Sequence, residues 1–124
     1  MKKKLLIVDD EPSIRLILEH YFAKTYDVVV KINGHEAFEW LQAGNLVDAI
    51  VADYNMPVLN GFEFIKKIRA NDLYKNVPLV MLSGKDETKS KIECLRNGAD
   101  DYLVKPFNPE ELGLRIQNIL SRIK

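Results

Sequence analysis

The sequence predicts one α/β domain spanning residues 1–124, a parallel sheet with helices on both faces. Three observations predict it. Five short segments are apolar throughout instead of alternating, as in strands buried on both sides. Each is followed by apolar residues at helical spacing. The polar residues that end these segments collect at one side of the pattern, their carboxyl ends. Strand and helix alternating five times is the signature of a parallel α/β sheet. At 124 residues and 14.3 kDa, the chain has the size of a single core.

Leu5-Leu6-Ile7-Val8 is the first strand. Beyond Asp9-Asp10-Glu11, Pro12 or Ser13 suits a first helical turn, where a missing N–H costs little. Ile14, Ile17, Leu18, Tyr21 and Phe22 make that helix's apolar stripe. Val28-Val29-Val30 is the second strand, and Ala37, Phe38 and Leu41 mark a short helix stopping near Gly44. Ala49-Ile50-Val51-Ala52 is the third strand, ending at Asp53. A loop with Pro57 and Gly61 leads to a helix carrying Phe64, Ile65 and Ile68. Leu79-Val80-Met81-Leu82 is the fourth strand, with Ile92 and Leu95 on the helix after it. Tyr102-Leu103-Val104 is the fifth. Asn108 is suited to cap the last helix, Glu110 and Glu111 oppose its positive end, and Leu112, Ile116, Ile119, Leu120 and Ile123 form its stripe.

Composition excludes several classes. Eighteen basic and eighteen acidic residues give a formal net charge of zero, with no electrostatic footprint for nucleic acid or for a membrane surface. One cysteine, Cys94, rules out an internal disulfide framework and a Cys-rich metal site. No apolar run approaches the ~20 residues that cross a bilayer, and Leu5 to Val8 is too short for a signal sequence. The expectation is a reduced, cytoplasmic protein, with no output domain legible after the last helix.

The chemistry lies at the strand ends. Asp9 and Asp10 follow the first strand, Asp53 the third, Ser83 the fourth and Lys105 the fifth. In an open parallel sheet these positions share the carboxyl edge, where such folds bind ligands. The common order 2-1-3-4-5 would make the first and third strands neighbours and bring three carboxylates together. That order is carried over from known doubly wound folds; the residues alone do not dictate it. Clustered carboxylates repel, and a hard divalent cation such as Mg²⁺ removes the conflict. Lys105, two strands from Asp53 and so roughly 10 Å away at ordinary strand spacing, is long enough to reach back. A carboxylate, Mg²⁺, a hydroxyl and an ammonium at one point suit phosphoryl transfer to the carboxylate. Taken singly, each piece reads more plainly: acids near a helix start, a strand-end turn, a Ser-Gly turn, a lysine before a helix-stopping proline. Their coincidence at four matching strand ends is what carries the reading.

Leu5-Leu6-Ile7-Val8-Asp9-Asp10-Glu11, Asp53-Tyr54-Asn55-Met56-Pro57…Gly61, Ser83-Gly84 and Lys105-Pro106-Phe107 together resemble the receiver domain of two-component response regulators, across essentially the whole chain. The resemblance implies a flavodoxin-like sheet in the order 2-1-3-4-5. It implies Asp53 as phosphoacceptor, Asp10 and Asp53 as direct Mg²⁺ ligands, Asp9 acting through a metal-bound water, and Asn55 offering its backbone carbonyl. Ser83 and Lys105 would contact the phosphoryl group, and Tyr102 would turn inward as Ser83 moves. A cis bond before Pro106 is also implied. The donor would be a sensor histidine kinase or a histidine phosphotransfer protein, and the domain would assist its own phosphorylation and dephosphorylation without being a turnover enzyme. The sequence departs from the commoner family residues at Ser83, where many members have Thr, and at Gly84, where Ala is commoner.

Gly98-Ala99-Asp100-Asp101-Tyr102, Glu111-Leu112 and Arg115-Ile116 resemble the winged-helix transcriptional subfamily, whose receivers dimerise by pairing charges across a two-fold axis. Lys91, Asp101 and Arg115 fall on matching positions, whereas Lys89 stands where that subfamily carries an acid. Two outcomes stay open: a face used by a second copy or an effector, and solvated charges on a monomer.

Two rivals fit worse. Phosphatases of the haloacid dehalogenase superfamily need a second Asp two residues after the nucleophile; Asn55 stands there and transfers no proton. Their nucleophile also belongs at the end of the first strand. A nucleotide or flavin module wants a glycine- or hydroxyl-rich phosphate loop after the first strand, where Asp9-Asp10-Glu11 would repel phosphate. His20, His35 and Cys94 lack partners in sequence and read as surface or inert groups, and Trp40 as packing.

Overall fold

Alternate residues of each strand feed opposite faces of one sheet, and that alternation creates two cores. The computed structural model describes residues 2–84 and 88–122. Its elements are β1 (Lys4–Val8), α1 (Pro12–Phe22), β2 (Asp27–Lys31), α2 (Gly34–Gln42), β3 (Ala49–Asp53), α3 (Gly61–Arg69), β4 (Leu79–Ser83), α4 (Thr88–Arg96), β5 (Asp101–Val104) and α5 (Pro109–Ser121). All strand pairs are parallel, in the order β2-β1-β3-β4-β5. The expected fold class and strand order are therefore those observed.

Leu6, Val8, Ile50, Ala52, Leu79, Met81 and Tyr102 face one core, closed by residues of α2, α3 and α4. Leu5, Ile7, Ala49, Val51, Val80, Leu82 and Leu103 face the other, under α1 and α5. Strands with apolar residues on both faces have no solvent side, which is why their sequences do not alternate.

The helices start where local chemistry permits. Pro12 opens α1. The Asn33 side chain accepts from the Glu36 amide at 2.7 Å, and Asn60 and Glu63 form a reciprocal capping box on α3. Asn108 accepts from the Glu110 amide at 2.8 Å, as expected of a cap. The caps Asn33 and Asn60 were equally open to a reading by residue type.

The stripes differ from expectation in width. Of the α1 residues at helical spacing, Leu18 and Phe22 are buried while Ile17 and Tyr21 stay exposed. In α4 the inward residue is Cys94, and Ile92 and Leu95 remain 45% and 40% exposed. Burial pushes the Cys94 thiol up to about 11, which keeps it protonated and inert. Trp40 is half-buried against the first core, with the Lys31 ammonium 5.8 Å from its ring centre. Ile123 lies outside the described residues.

One arginine fastens the segments that lead into β4 and β5. Arg69, at the end of α3, donates to the carbonyls of Gly98, Tyr74, Lys75 and Val77 and pairs with Asp100 at 3.1 Å. Gly98 has a φ of +115°, and a Cβ there would lie 2.8 Å from the Arg69 side chain, so both conformation and space call for glycine.

Candidate functional site

Register decides which polar residues meet. Val8 pairs with Ala52, so the next residues, Asp9 and Asp53, leave the sheet side by side. Asp53 pairs with Leu82, which sets Ser83 one residue further along the neighbouring strand. Ser83 in turn pairs with Val104, and Lys105 follows; its amide donates to the Ser83 carbonyl at 2.7 Å. The carboxyl edge of four strands thereby becomes one cleft.

Asp9, Asp53 and Ser83 are buried there, with Asp53 only 2% exposed, while Asp10 stands at the open rim. The Lys105 ammonium reaches back over β4, 3.1 Å from Asp9 Oδ2, 3.2 Å from Glu11 Oε1 and 3.4 Å from Asp53 Oδ1. Asp9 Oδ1 accepts from the Glu11 amide at 2.9 Å, and Arg15 donates to the Asp9 carbonyl at 2.8 Å. The Asn55 amide lies 3.4 Å from Asp53 Oδ1. The peptide before Pro106 is cis, as the resemblance implied.

The acids outnumber the cation. Burial, and next the charge of Asp9, push the Asp53 carboxyl up to about 7. Burial also raises Asp9, against the pull of the Glu11 amide and Lys105. Burial by itself would lower Lys105, but the charges of Asp53 and Asp9 outweigh it and raise it. Lys105 therefore remains a cation and still leaves Asp53 reluctant to ionise.

A carboxylate oxygen from each of Asp9, Asp10 and Asp53 lies within 4.8 Å of the others. That all-oxygen donor set, with Asp53 short of countercharge, fits a hard divalent cation. Asp9, Asp10, Asp53 and Lys105 thus converge as expected, with Ser83 one strand away. Tyr102 is buried in the first core. Glu11 and Arg15 were missed. Glu11 holds the N-cap position of α1 yet makes no cap hydrogen bond; its carboxylate turns to Lys105 instead. A third acid beside the pair was the available signal for it.

The family model described as the response regulator receiver domain matches residues 5–117. The chain is a response regulator receiver domain. It is 41% identical over 123 residues to the alkaline phosphatase synthesis transcriptional regulatory protein PhoP of Bacillus subtilis, a match covering 98% of this chain and 50% of that protein. The chain thus spans about half the length of the curated relatives it matches. The Francisella response regulator 1452 receiver domain superposes with a TM-score of 0.90 at 37% identity, over 99% of this chain and 100% of that one. The receiver domain of the sensor histidine kinase PA1611 of Pseudomonas aeruginosa, whose structure has magnesium coordinated in the active-site cleft, gives 0.88 at 29% identity, over 98% and 99%. As a receiver, the chain serves phosphorylation-dependent signalling. No helix among the described residues of this receiver is long and apolar enough to cross a membrane.

On the receiver's α4–β5–α5 side, Arg115 forms a forked pair with Asp101 at 2.9 and 3.1 Å and also holds Glu111 at 3.1 Å. Its Nε is buried and has no hydrogen-bond partner among the described residues. Lys91 and Lys89 are exposed. Asp101 and Arg115, two of the three charges matched to a dimer interface, pair with each other within one chain.

Proposed function

We propose that Asp53 accepts a phosphoryl group from the phosphohistidine of a sensor histidine kinase or histidine phosphotransfer protein. The observation carrying this is a buried Asp53 carboxylate with the Lys105 ammonium 3.4 Å away and the Asp9 and Asp10 carboxylates beside it. An Asp53 oxygen bonds to phosphorus as the histidine N–P bond breaks, and the departing imidazole takes up a proton. Lys105 and Ser83 hold the phosphoryl oxygens. Asp10, Asp53 and the Asn55 carbonyl would hold Mg²⁺, with Asp9 acting through a water, and the ion would supply countercharge for the developing negative charge.

Residues 1–124 act as one receiver unit in the cytoplasm. The unit assists its own dephosphorylation but is not a turnover enzyme, because Asn55 offers no proton where a phosphatase of related chemistry needs one. Incubation with acetyl phosphate tests the reading. With Mg²⁺, one acid-labile phosphoryl group is expected by intact mass; labelling that ignores Mg²⁺ would refute it.

The metal set has its own test. Asp10→Ala is expected to weaken Mg²⁺ binding by at least about tenfold, the smallest loss usual even for residues behind the ligands. Asp9→Ala should weaken it less. Calorimetric titration of both variants decides the matter, and equal affinities with wild type would remove the metal assignment.

Phosphorylation is further proposed to alter the α4–β5–α5 face for an effector or a second copy through Lys91, Asp101 and Arg115. Pairing across a dimer requires Arg115 to exchange its own Asp101 for a partner's, and exposed ion pairs contribute only about 0–1 kcal/mol each. Sedimentation with beryllofluoride, a phosphoryl mimic, is expected to give a dimer that Arg115→Ala abolishes. A monomer in both states would leave the effector.

A further inference from the structure

The edge of the sheet opposite the Asp53 cleft carries a groove of about 570 Å³, within the range of small-molecule sites. Lys2 and Lys3 lead into β1, Thr25 and Tyr26 lead into β2, and Gln117 and Leu120 lie near the end of α5. Parallel strands send all their amino ends to this side, so segments far apart in sequence meet there.

The polar groups of this groove are not spent within the chain. Tyr26 lines it and is only 8% exposed, its ring edge-on to Phe22 with centroids 5.9 Å apart. A buried tyrosine ordinarily finds a partner for its O–H, yet the Tyr26 hydroxyl has none among the described residues. Burial raises the phenol, so it stays a donor at neutral pH. Lys2 donates to the Ala23 carbonyl at 2.7 Å, which leaves two of its three hydrogens. Neither Lys2 nor Lys3 forms an ion pair among the described residues, and the nearby acid Asp27 pairs with Lys4 instead, at 3.9 Å. One hydroxyl and two ammonium groups around the Tyr26 ring and Leu120 are complementary to an anion with an apolar body.

We propose that this groove is a binding site for a small amphiphilic carboxylate, a medium-chain aliphatic acid taken up as the free molecule. The carboxylate accepts from the Tyr26 hydroxyl and is flanked by the Lys2 and Lys3 ammonium groups. Hydrogen bonds to an ionised acceptor are the stronger kind. The alkyl body covers the Tyr26 ring and Leu120 and gains by leaving water; a bare inorganic anion would leave that surface wet. The groove lies at the other edge of the sheet from Asp53, so binding requires neither a phosphoryl group nor Mg²⁺.

Titrations of the isotope-labelled chain, followed by its amide NMR shifts, test this with octanoate, octanol and phosphatidylglycerol vesicles. Octanoate is expected to give saturable shifts centred on Thr25, Tyr26 and Leu120 and to leave the amides of Asp53 and Ser83 in place. Octanol, which lacks the charge, should bind at least about tenfold more weakly. Tyr26→Phe keeps the ring against Phe22 and removes only the O–H; it is expected to raise the Kd for octanoate about tenfold, about 1.4 kcal/mol. Lys3→Gln, an exposed change, should raise it about threefold. Octanoate shifts that do not saturate overturn the proposal. So does octanol binding as tightly as octanoate, which would reduce the groove to apolar surface. Wild-type affinity in Tyr26→Phe overturns it as well, and Lys3→Gln decides the same question should the first variant not fold. Vesicle binding without saturable octanoate binding overturns it in favour of a membrane surface.

Discussion

Asp53→Asn is expected to take up no phosphoryl group from acetyl phosphate and Mg²⁺ under conditions in which wild type is fully labelled. Three carboxylates approach Lys105, so the assignment turns on which oxygen is available. Both oxygens of Asp9 are engaged, Oδ1 by the Glu11 amide and Oδ2 by Lys105. Glu11 lies at the exposed rim. Asp53 meets its described partners through Oδ1 and sits at the base of the cleft. It is the buried carboxylate left with an oxygen to spend on phosphorus. Lys105→Met keeps that nucleophile and removes the ammonium, so labelling should persist about 10²–10³-fold more slowly, the usual loss for one preorganised charge-stabilising donor. Intact-mass time courses of the three proteins check both statements. Labelling of Asp53→Asn at the wild-type rate would move the site elsewhere.

The second large effect concerns stability, and its sign follows from burial. Asp53 titrates at about 7 in the fold against 3.8 as an ordinary aspartate. Below pH 4 the carboxyl is protonated in folded and unfolded chains alike and costs nothing. Between about pH 4 and pH 7 the unfolded chain releases its proton while the folded one retains it, so the metal-free protein loses stability as pH rises. Above pH 7 the full cost is present, on the order of a few kcal/mol at about 1.4 kcal/mol per pKa unit. Asp9, also raised, adds in the same direction. Asp53→Asn should therefore be more stable than wild type in the absence of metal, by a margin that grows from pH 4 to pH 7 and then levels. Excess Mg²⁺ at pH 8 should close the gap by stabilising wild type. Urea unfolding of both proteins across this range, with Mg²⁺ and with chelator, is the measurement. Parallel pH profiles would show that Asp53 is not strained in the metal-free fold.

Much of this protein is determined within short stretches of its chain. A segment such as Leu79-Val80-Met81-Leu82 has no polar face to offer water, so it must become an interior strand whatever surrounds it. Asp53, Ser83 and Lys105 terminate such strands, and parallel pairing sends all their ends to one edge; the cleft is legible because strand polarity is a property of sequence order. The tertiary structure alone decided the rest. Periodicity gives the direction of a helix face but not its width, which depends on what packs opposite: Leu18 and Phe22 are covered and Ile17 and Tyr21 are not, and Cys94 takes the inward place beside exposed Ile92 and Leu95. Long charged side chains select partners by distance in space. Glu11 turns from its own helix to Lys105, and Arg115 closes on Asp101 within the chain. Val58, in the loop between β3 and α3, has a positive φ, a constraint that no residue type announces and that valine by itself would resist.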